Sequence, residues 1–406
     1  MVAVLIAAER IPGRGLLGLK SRVWLMTLGH LVIDSNPALL FALLPLFVMR
    51  LHINFTLAGT LTTVLLMTSS VTQPLFGYLQ DRFPLAPLSA LGLLIAGLAM
   101  GLTGFASTYP VMLALMVIAG LGVAAFHPQA VTQAARASGN RPGWGVAIFF
   151  SGGSTGTALM SLAIVPAAML FGPNATLITV VPAVIAASLF GRAYRSWLRV
   201  DPRPDGMTTA ASLRPVALPL SMLLVVSILR SAVLTAYLTF LPTLVVLRTG
   251  SLSLGALALA AFLFSGTLGA LIGGVIANRV GGGPVVITSL TGALAALIIA
   301  PWLPGEVLVP WMVVAGILLF ASEAQVTALA QRLLPAFVGI ASSLMMGVGL
   351  GLGNVGGVLA GVLADSRGLQ FALTVTTLLI VGAIAASAVY LAAMRRTLMR
   401  PAPVRA

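Results

Sequence analysis

The sequence has no cysteine, one lysine (Lys20), three histidines and eight acidic residues among 406. Without cysteine there are no disulfides, no thiolate metal sites and no thiol nucleophile. Charged residues make up 7% of the chain, against about 25% in ordinary soluble domains. That shortage excludes a soluble fold, because no protein interior could hide the remaining apolar surface: 59% of the residues are hydrophobic and the mean hydropathy is +1.10. Lipid must be the solvent for most of the chain. Met1–Ala8 is apolar but is ended by Glu9 and has no basic residues before it, so no cleaved leader is expected. The net charge of +14 is carried almost wholly by arginine. In a membrane chain arginine marks the cytoplasmic loops, and no nucleic-acid partner is expected.

A membrane span needs roughly 20 apolar residues, and the hydrophobic runs predict twelve. In the first half they are 22–49, 55–79, 85–106, 110–134, 144–170 and 175–198. In the second they are 216–247, 252–277, 284–302, 307–331, 337–364 and 369–394. The reading is an all-α membrane protein of two six-helix bundles, 1–198 and 216–406, joined by a linker at 199–215. That linker holds Asp201, Pro202, Arg203, Pro204 and Asp205, the longest polar stretch in the chain.

Eighteen of the 22 basic residues fall in the tails and one set of loops. Arg50, Arg248 and Arg367 fall in the opposite loops, and Arg230 lies inside a span. The arginine-rich side is expected to be cytoplasmic, with both termini on it. An internal repeat supports the two halves: Gly77–Arg82 (GYLQDR) is echoed 197 residues later by Gly274–Arg279 (GVIANR).

Ionisable groups inside a bilayer are functional candidates, because each costs about 2.5–3.5 kcal/mol to insert. Five stand out: His30 and Asp34 in span 1, His127 in span 4, Arg230 in span 7 and Glu323 in span 10. These are the first and fourth spans of each half. Adding 197 to Asp34 gives a position beside Arg230, and adding it to His127 gives one beside Glu323. A cavity on the pseudo-twofold axis would bring them together, with Asp34 facing Arg230. His30 and Asp34, four residues apart, share a helix face and could store or pass a proton. A static Asp34–Arg230 tie between the halves is the alternative. His127 precedes Pro128, a kink position, and serves equally as a packing or gating residue.

Gly351, Gly353 and Gly356 spell GxGxxG in span 11. A dinucleotide fingerprint needs a preceding strand, and none is predicted. The better reading is close helix packing, with Gly353, Gly357 and Gly361 on one face, Gly152 and Gly156 in span 5, and Gly269 and Gly273 in span 8.

These features resemble the major facilitator superfamily, whose signature loop between spans 2 and 3 matches Gly77, Asp81 and Arg82. A closer similarity is to its fosmidomycin-resistance family. It is carried by GHLVIDS at Gly29–Ser35, GYLQDRFPLAP at Gly77–Pro87 and FHPQAVTQAARASG at Phe126–Gly139. In the second half it is carried by AQRLLPAFVGIASSL at Ala330–Leu344 and GVLAD at Gly361–Asp365. The chain departs from that family at Gln129, where an acid follows FHP. The resemblance implies a bacterial inner-membrane carrier, a proton-driven exporter of small amphipathic or toxic compounds.

The expectation is therefore a monomeric transporter whose partners are a small molecule, protons and the lipid bilayer, with no cofactor and no metal. Arg230 hints at an anionic substrate. The runner-up is proton-coupled uptake of a small organic anion. A membrane enzyme is the other class; against it stand the lack of a metal-ligand cluster, of a nucleophile with its base, and of a sizeable soluble domain.

Overall fold

The computed structural model describes residues 19–82, 88–139, 142–197 and 216–398, and among them every regular element is helical. The linker at 199–215 and the far ends of both tails lie outside the described residues, apart from the span ends at 19–20 and 395–398. Eleven segments are long and apolar enough to cross a bilayer. One of them, Gly145–Ala193, has 49 residues. At 1.5 Å per residue that is about 73 Å of helix, more than twice the hydrocarbon thickness.

Its neighbours show why it is two crossings. Span 5 (Pro142–Phe171) follows span 1 (Ser21–Leu51) in the same direction: Gly152 lies against Thr27 and Gly156 against Leu31. Span 6 (Val180–Trp197) runs against span 3 (Leu88–Phe105): Ala183 meets Gly97, and Val180 meets Gly101. Spans 1 and 3 point the same way, so the chain reverses between spans 5 and 6. The reversal falls at Gly172, with φ of +57°, and the 3-10 stretch Gly172–Thr179. Glycine is favoured there because the left-handed region penalises a Cβ. Twelve crossings result, as the hydrophobic runs predict.

The remaining spans are Phe55–Leu79 (span 2), Tyr109–Ala137 (span 4), Ala217–Thr249 (span 7), Leu252–Val280 (span 8), Gly282–Trp302 (span 9), Gly305–Leu333 (span 10), Ile340–Arg367 (span 11) and Leu369–Arg395 (span 12). Two are interrupted. Span 10 breaks at Ser322, so Glu323 opens its second segment, Glu323–Leu333. Span 11 contains the π-helical stretch Ser343–Gly349 and a turn at Asn354–Val355. Such irregularity inside a bilayer is tolerated where neighbouring groups satisfy the freed backbone.

The repeat is visible in the packing. In the first half Gly120 of span 4 lies against Leu65 and Thr68 of span 2. In the second half Gly316 of span 10 lies against Phe262 and Ser265 of span 8. A Cβ at either glycine would fall 2.7 Å or less from its nearest neighbour, so the close approach requires glycine at both.

The three arginines of the sparse loops are structural. Arg50, at the end of span 1, donates to the carbonyls of Thr103, Gly104 and Ala106 at 2.8, 2.5 and 3.0 Å. Arg248, at the end of span 7, donates in the same way to the carbonyls of Pro301 and Leu303. Each guanidinium satisfies carbonyls left open where a helix ends. It thereby ties the first span of its half to the connection between the third and fourth. Arg367 lies over the ring of Phe371, 4.9 Å from its centroid.

Candidate functional site

Span 1 is mostly buried, and its two prolines, Pro37 and Pro45, lie beyond the candidate residues. Asp34 sits one turn after His30. Its carboxylate is shared: Oδ2 lies 3.0 Å from His30 Nε2, and Oδ1 lies 3.2 Å from Nε2 of His127 on span 4. The side chain of His30 is 3% exposed, while those of His127 and Asp34 are 19% and 28% exposed. The cluster has a sealed wall and an open face.

Both imidazoles are oriented from behind. His30 Nδ1 lies 2.7 Å from the carbonyl oxygen of Phe149, and His127 Nδ1 lies 2.9 Å from that of Val123. A carbonyl only accepts, so each Nδ1 carries a hydrogen. Each Nε2 then faces Asp34 with either a lone pair or a second proton. The contacts of 3.0 and 3.2 Å put both Nε2 atoms within hydrogen-bond reach of the one carboxylate. The His30 ring also stacks on Phe149, with centroids 4.0 Å apart, and packs edge-on to Phe150 and to His127.

The second half holds its own pair. Arg230 Nη2 lies 3.4 Å from Glu323 Oε1, joining span 7 to span 10. The Arg230 side chain is 2% exposed and its Nη1 is buried without a hydrogen-bond partner among the described residues. An orphaned guanidinium nitrogen is costly, and it marks a place where an acceptor would be held. Both groups line a small recess with Ser227, Val326, Thr327, Met345, Met346 and Leu350.

The expected pairing of Asp34 with Arg230 is therefore corrected. The ionisable groups pair within each half rather than across the axis. The physical reason is reach: spans 1 and 4 of one bundle already face each other at the depth of these side chains. Asp34 finds two imidazoles there before any group of the other half. The repeat still governs the arrangement. Asp34 to Arg230 and His127 to Glu323 are both 196 positions apart, so the acid and base exchange places between the halves.

The expected absence of a metal-ligand cluster is also corrected. In the folded chain one donor atom each of His30, Asp34 and His127 lie within 4.8 Å of one another. The signal was missed because His127 is 93 positions from Asp34 in the sequence.

The glycines take different partners than helical spacing alone suggests. A Cβ at Gly152 would lie 2.5 Å from the carbonyl of Thr27, and one at Gly156 would lie 2.0 Å from that of Leu31. In span 11, Gly353 and Gly356 face span 7 at Ser231 and Ala232. Gly361 faces span 2 at Phe55, and Gly357 meets Thr62 and Thr63 of span 2 and Thr239 of span 7. The single face expected for Gly353, Gly357 and Gly361 is divided because span 11 turns at Asn354. Gly77 makes an ordinary 3.7 Å contact with Pro128. Asp81 and Arg82 close the helix of span 2, and their side chains lie outside the described residues. Gln129, at the position of the family's acid, accepts from Ser89 Oγ at 2.5 Å.

Two features were not read from the sequence. Gly153 is the floor of the first-half cluster: a Cβ there would lie 2.5 Å from Asp34 Oδ2 and 2.7 Å from His30 Nε2. The double glycine at 152–153 was its signal, since adjacent helical positions bare two faces. The second is a polar knot between the halves. Asn354 accepts from Thr235 at 3.1 Å and donates to Ser70 at 3.3 Å, while its carbonyl accepts from Thr63 at 2.9 Å. Nearer the arginine-poor end, the carboxylate of Asp365 accepts from Phe55 N, Thr56 N and Thr56 Oγ1 at 2.8, 2.9 and 2.6 Å. It thus caps the first turn of span 2 from span 11.

Two pseudo-symmetric helical bundles, each with an ion pair between its first and fourth spans, are the build of a membrane carrier rather than of an enzyme. Residues 26–355 match the Major Facilitator Superfamily, and the chain belongs to that family of transporters. Among curated relatives, the Fosmidomycin resistance protein of Escherichia coli (strain K12) is 27% identical over 356 residues, covering 85% of this chain and 86% of the relative. The uncharacterized MFS-type transporter YfnC of Bacillus subtilis (strain 168) is 27% identical over 350 residues, covering 84% and 85%. The fold is shared with a bacterial homolog of the human lysosomal transporter Spinster, in an inward-facing and occupied conformation. That match has a TM-score of 0.76 at 15% identity and covers 94% of this chain and 98% of that one. The nucleoside transporter NupG matches with a TM-score of 0.69 at 16% identity, covering 92% and 99%.

Proposed function

We propose that this transporter is a proton-coupled antiporter that exports small amphipathic or anionic compounds by alternating access. In this reading it works as a monomer in the bacterial inner membrane, with both termini cytoplasmic. The observation that carries the reading is the shared carboxylate of Asp34. It lies 3.0 and 3.2 Å from two imidazoles, and both rings are fixed by main-chain carbonyls. A carboxylate held between two fixed imidazoles suits proton coupling. The excess of arginine at one end supports the orientation, and likeness to the Fosmidomycin resistance protein supports export.

The cycle follows from the geometry. With protons in place the cluster is held together. Substrate entering from the cytoplasmic side competes with them, and the halves then rock to expose the site outside, where protons return. The Asp365 cap holds spans 2 and 11 together at the arginine-poor end, and the Asn354 knot joins them near mid-span. On this orientation the cap supports reading the structure as a state closed to the outside. Arg230, with Nη1 unpartnered, is the group for an anionic substrate, and Glu323 releases it when that anion arrives.

The deciding experiment is substrate-triggered proton release in proteoliposomes. Release is expected from the wild type and is expected to vanish in Asp34→Asn. Undiminished release in that variant, with an intact pH dependence of transport, overturns the coupling assignment. Counterflow under an imposed pH gradient reads the direction: export is driven by an inward proton gradient, whereas accumulation with that gradient would make the protein a symporter.

A further inference from the structure

We propose that His30, Asp34 and His127 also form a binding site for one divalent first-row transition-metal ion of the Zn²⁺, Co²⁺ or Cu²⁺ class. The chain has three histidines and no cysteine, so imidazole is its scarcest strong metal donor. Two of the three histidines converge on one carboxylate, His127 from a position 93 residues beyond Asp34.

The donor geometry fits. A tetrahedral ion with bonds of about 2.0–2.1 Å has ligand atoms about 3.3 Å apart along each edge. His30 Nε2 is 3.0 Å from Asp34 Oδ2, His127 Nε2 is 3.2 Å from Asp34 Oδ1, and the three donors lie within 4.8 Å of one another. An ion would draw the longest donor pair, at most 4.8 Å apart, in toward that edge by side-chain rotation of up to about 1.5 Å.

The surroundings fit as well. A metal-binding histidine typically donates its other nitrogen to a carbonyl or carboxylate, which fixes the ring and turns the lone pair inward. Both histidines do this, His30 to Phe149 and His127 to Val123. The stacked Phe149 ring holds His30 further. Gly153 leaves the space in front of Oδ2 and Nε2 clear of a side chain. Asp34 and His127 keep 28% and 19% of their side-chain surface open, so a fourth position for water or substrate exists. Imidazole donors favour these ions over Mg²⁺ or Ca²⁺, which take oxygen.

The binding claim does not depend on proton coupling. It is measured on purified, chelator-washed protein in detergent with no transport assay. Titration with Co²⁺ should give a saturable visible band at one ion per chain, and Zn²⁺ should abolish it competitively. Cu²⁺ bound to the wild type should show splitting from two imidazole nitrogens in its electron paramagnetic spectrum. His127→Ala and His30→Ala should each weaken Zn²⁺ binding by at least about 100-fold. His52→Asn, which alters the remaining histidine at a left-handed position that asparagine accepts, should bind as the wild type does. Absence of saturable Co²⁺ and Cu²⁺ signals in the wild type overturns the proposal, and so does loss of binding in His52→Asn with retention in the other two. The wild-type spectra decide the matter even if a substituted protein fails to fold. Failure here leaves substrate-triggered proton release untouched. Failure of that release in metal-free protein leaves the spectra untouched.

Discussion

Asp34 and Arg230 stand 196 positions apart on equivalent spans, yet each is paired inside its own half. Asp34 meets His127 at 3.2 Å, and Arg230 meets Glu323 at 3.4 Å. The two pairs link the first and fourth spans of their bundles with the acid and base exchanged. Neither half needs the other to neutralise its charge, so the halves can separate during rocking without exposing an unpaired buried ion. A cross-axis pair would have to break in every cycle, and truncating one partner of such a buried pair costs about 3–5 kcal/mol.

The first prediction concerns pH dependence. Both Nδ1 atoms of the first-half cluster face carbonyls, so protons that a substrate displaces would leave from the contacts between the rings and Asp34. A substrate that competes with such protons should bind more tightly as pH rises in the wild type. Asp34→Asn and His127→Gln should each make that slope shallower; each decade of affinity corresponds to about 1.4 kcal/mol. Binding isotherms between pH 5 and 9 on purified protein measure this. A slope that is unchanged in Asp34→Asn removes the cluster from coupling.

A second prediction separates shape from charge at the same place. Gly153→Ala adds a methyl group 2.5 Å from Asp34 Oδ2 and 2.7 Å from His30 Nε2. No charge changes, yet the carboxylate must move. Transport is expected to fall at least about 10-fold, the loss of roughly 1.4 kcal/mol. Gly191→Ala is the control: that glycine is helical, and a Cβ added there would meet nothing within 4 Å. It should leave transport unchanged and raise stability by about 0.4–1 kcal/mol, as an unstrained Gly→Ala change does. Equal effects of the two substitutions would show that Gly153 matters only as a helix residue.

The fold was legible where composition and period act over whole helices. Twelve apolar runs became twelve crossings, and Arg50 and Arg248 were placed at the correct ends of spans 1 and 7. What they hold there was not legible, because Thr103, Gly104 and Ala106 reach Arg50 only through folding. The five membrane-embedded ionisable residues were identified because each is a local anomaly in an apolar run. Their partners were not, since pairing depends on which spans face each other. Gly153 and Asn354 escaped for a related reason. A glycine or an asparagine is chemically quiet in sequence, and its meaning lies in the atom that approaches it from another span.

A third prediction follows from the second-half pair. Arg230 keeps one nitrogen unpartnered while the other meets Glu323, so Glu323→Gln frees the guanidinium. Anionic substrates should then bind more tightly, by about 3–10-fold, as a charge-assisted bond forms in place of the intramolecular one. Arg230→Gln should abolish binding of anionic compounds while leaving cationic compounds within about a factor of three, a ratio worth under 1 kcal/mol. Equilibrium binding of matched anionic and cationic ligands measures both. Equal loss for the two classes assigns Arg230 to structure alone.

The last prediction concerns the closure at the arginine-poor end. Asp365 of span 11 caps span 2 with three hydrogen bonds, to Phe55 N, Thr56 N and Thr56 Oγ1. A capping carboxylate at a helix N-terminus contributes about 0.5–2 kcal/mol. Here it acts between the halves, so its contribution weighs on the conformational equilibrium more than on folding of either bundle. Asp365→Ala is expected to shift that equilibrium about 3–30-fold toward the state open at this end, while the melting temperature moves little. The chain lacks cysteine, so spin labels at Leu57→Cys and Ser366→Cys report the distance between spans 2 and 11 with no background thiol. In the parent protein the short-distance population should dominate, and in Asp365→Ala a longer-distance population should grow. Asp365→Glu, which keeps the charge with a longer arm, should fall between the two. If all three distributions coincide, the cap belongs to span 2 alone and takes no part in closing the carrier.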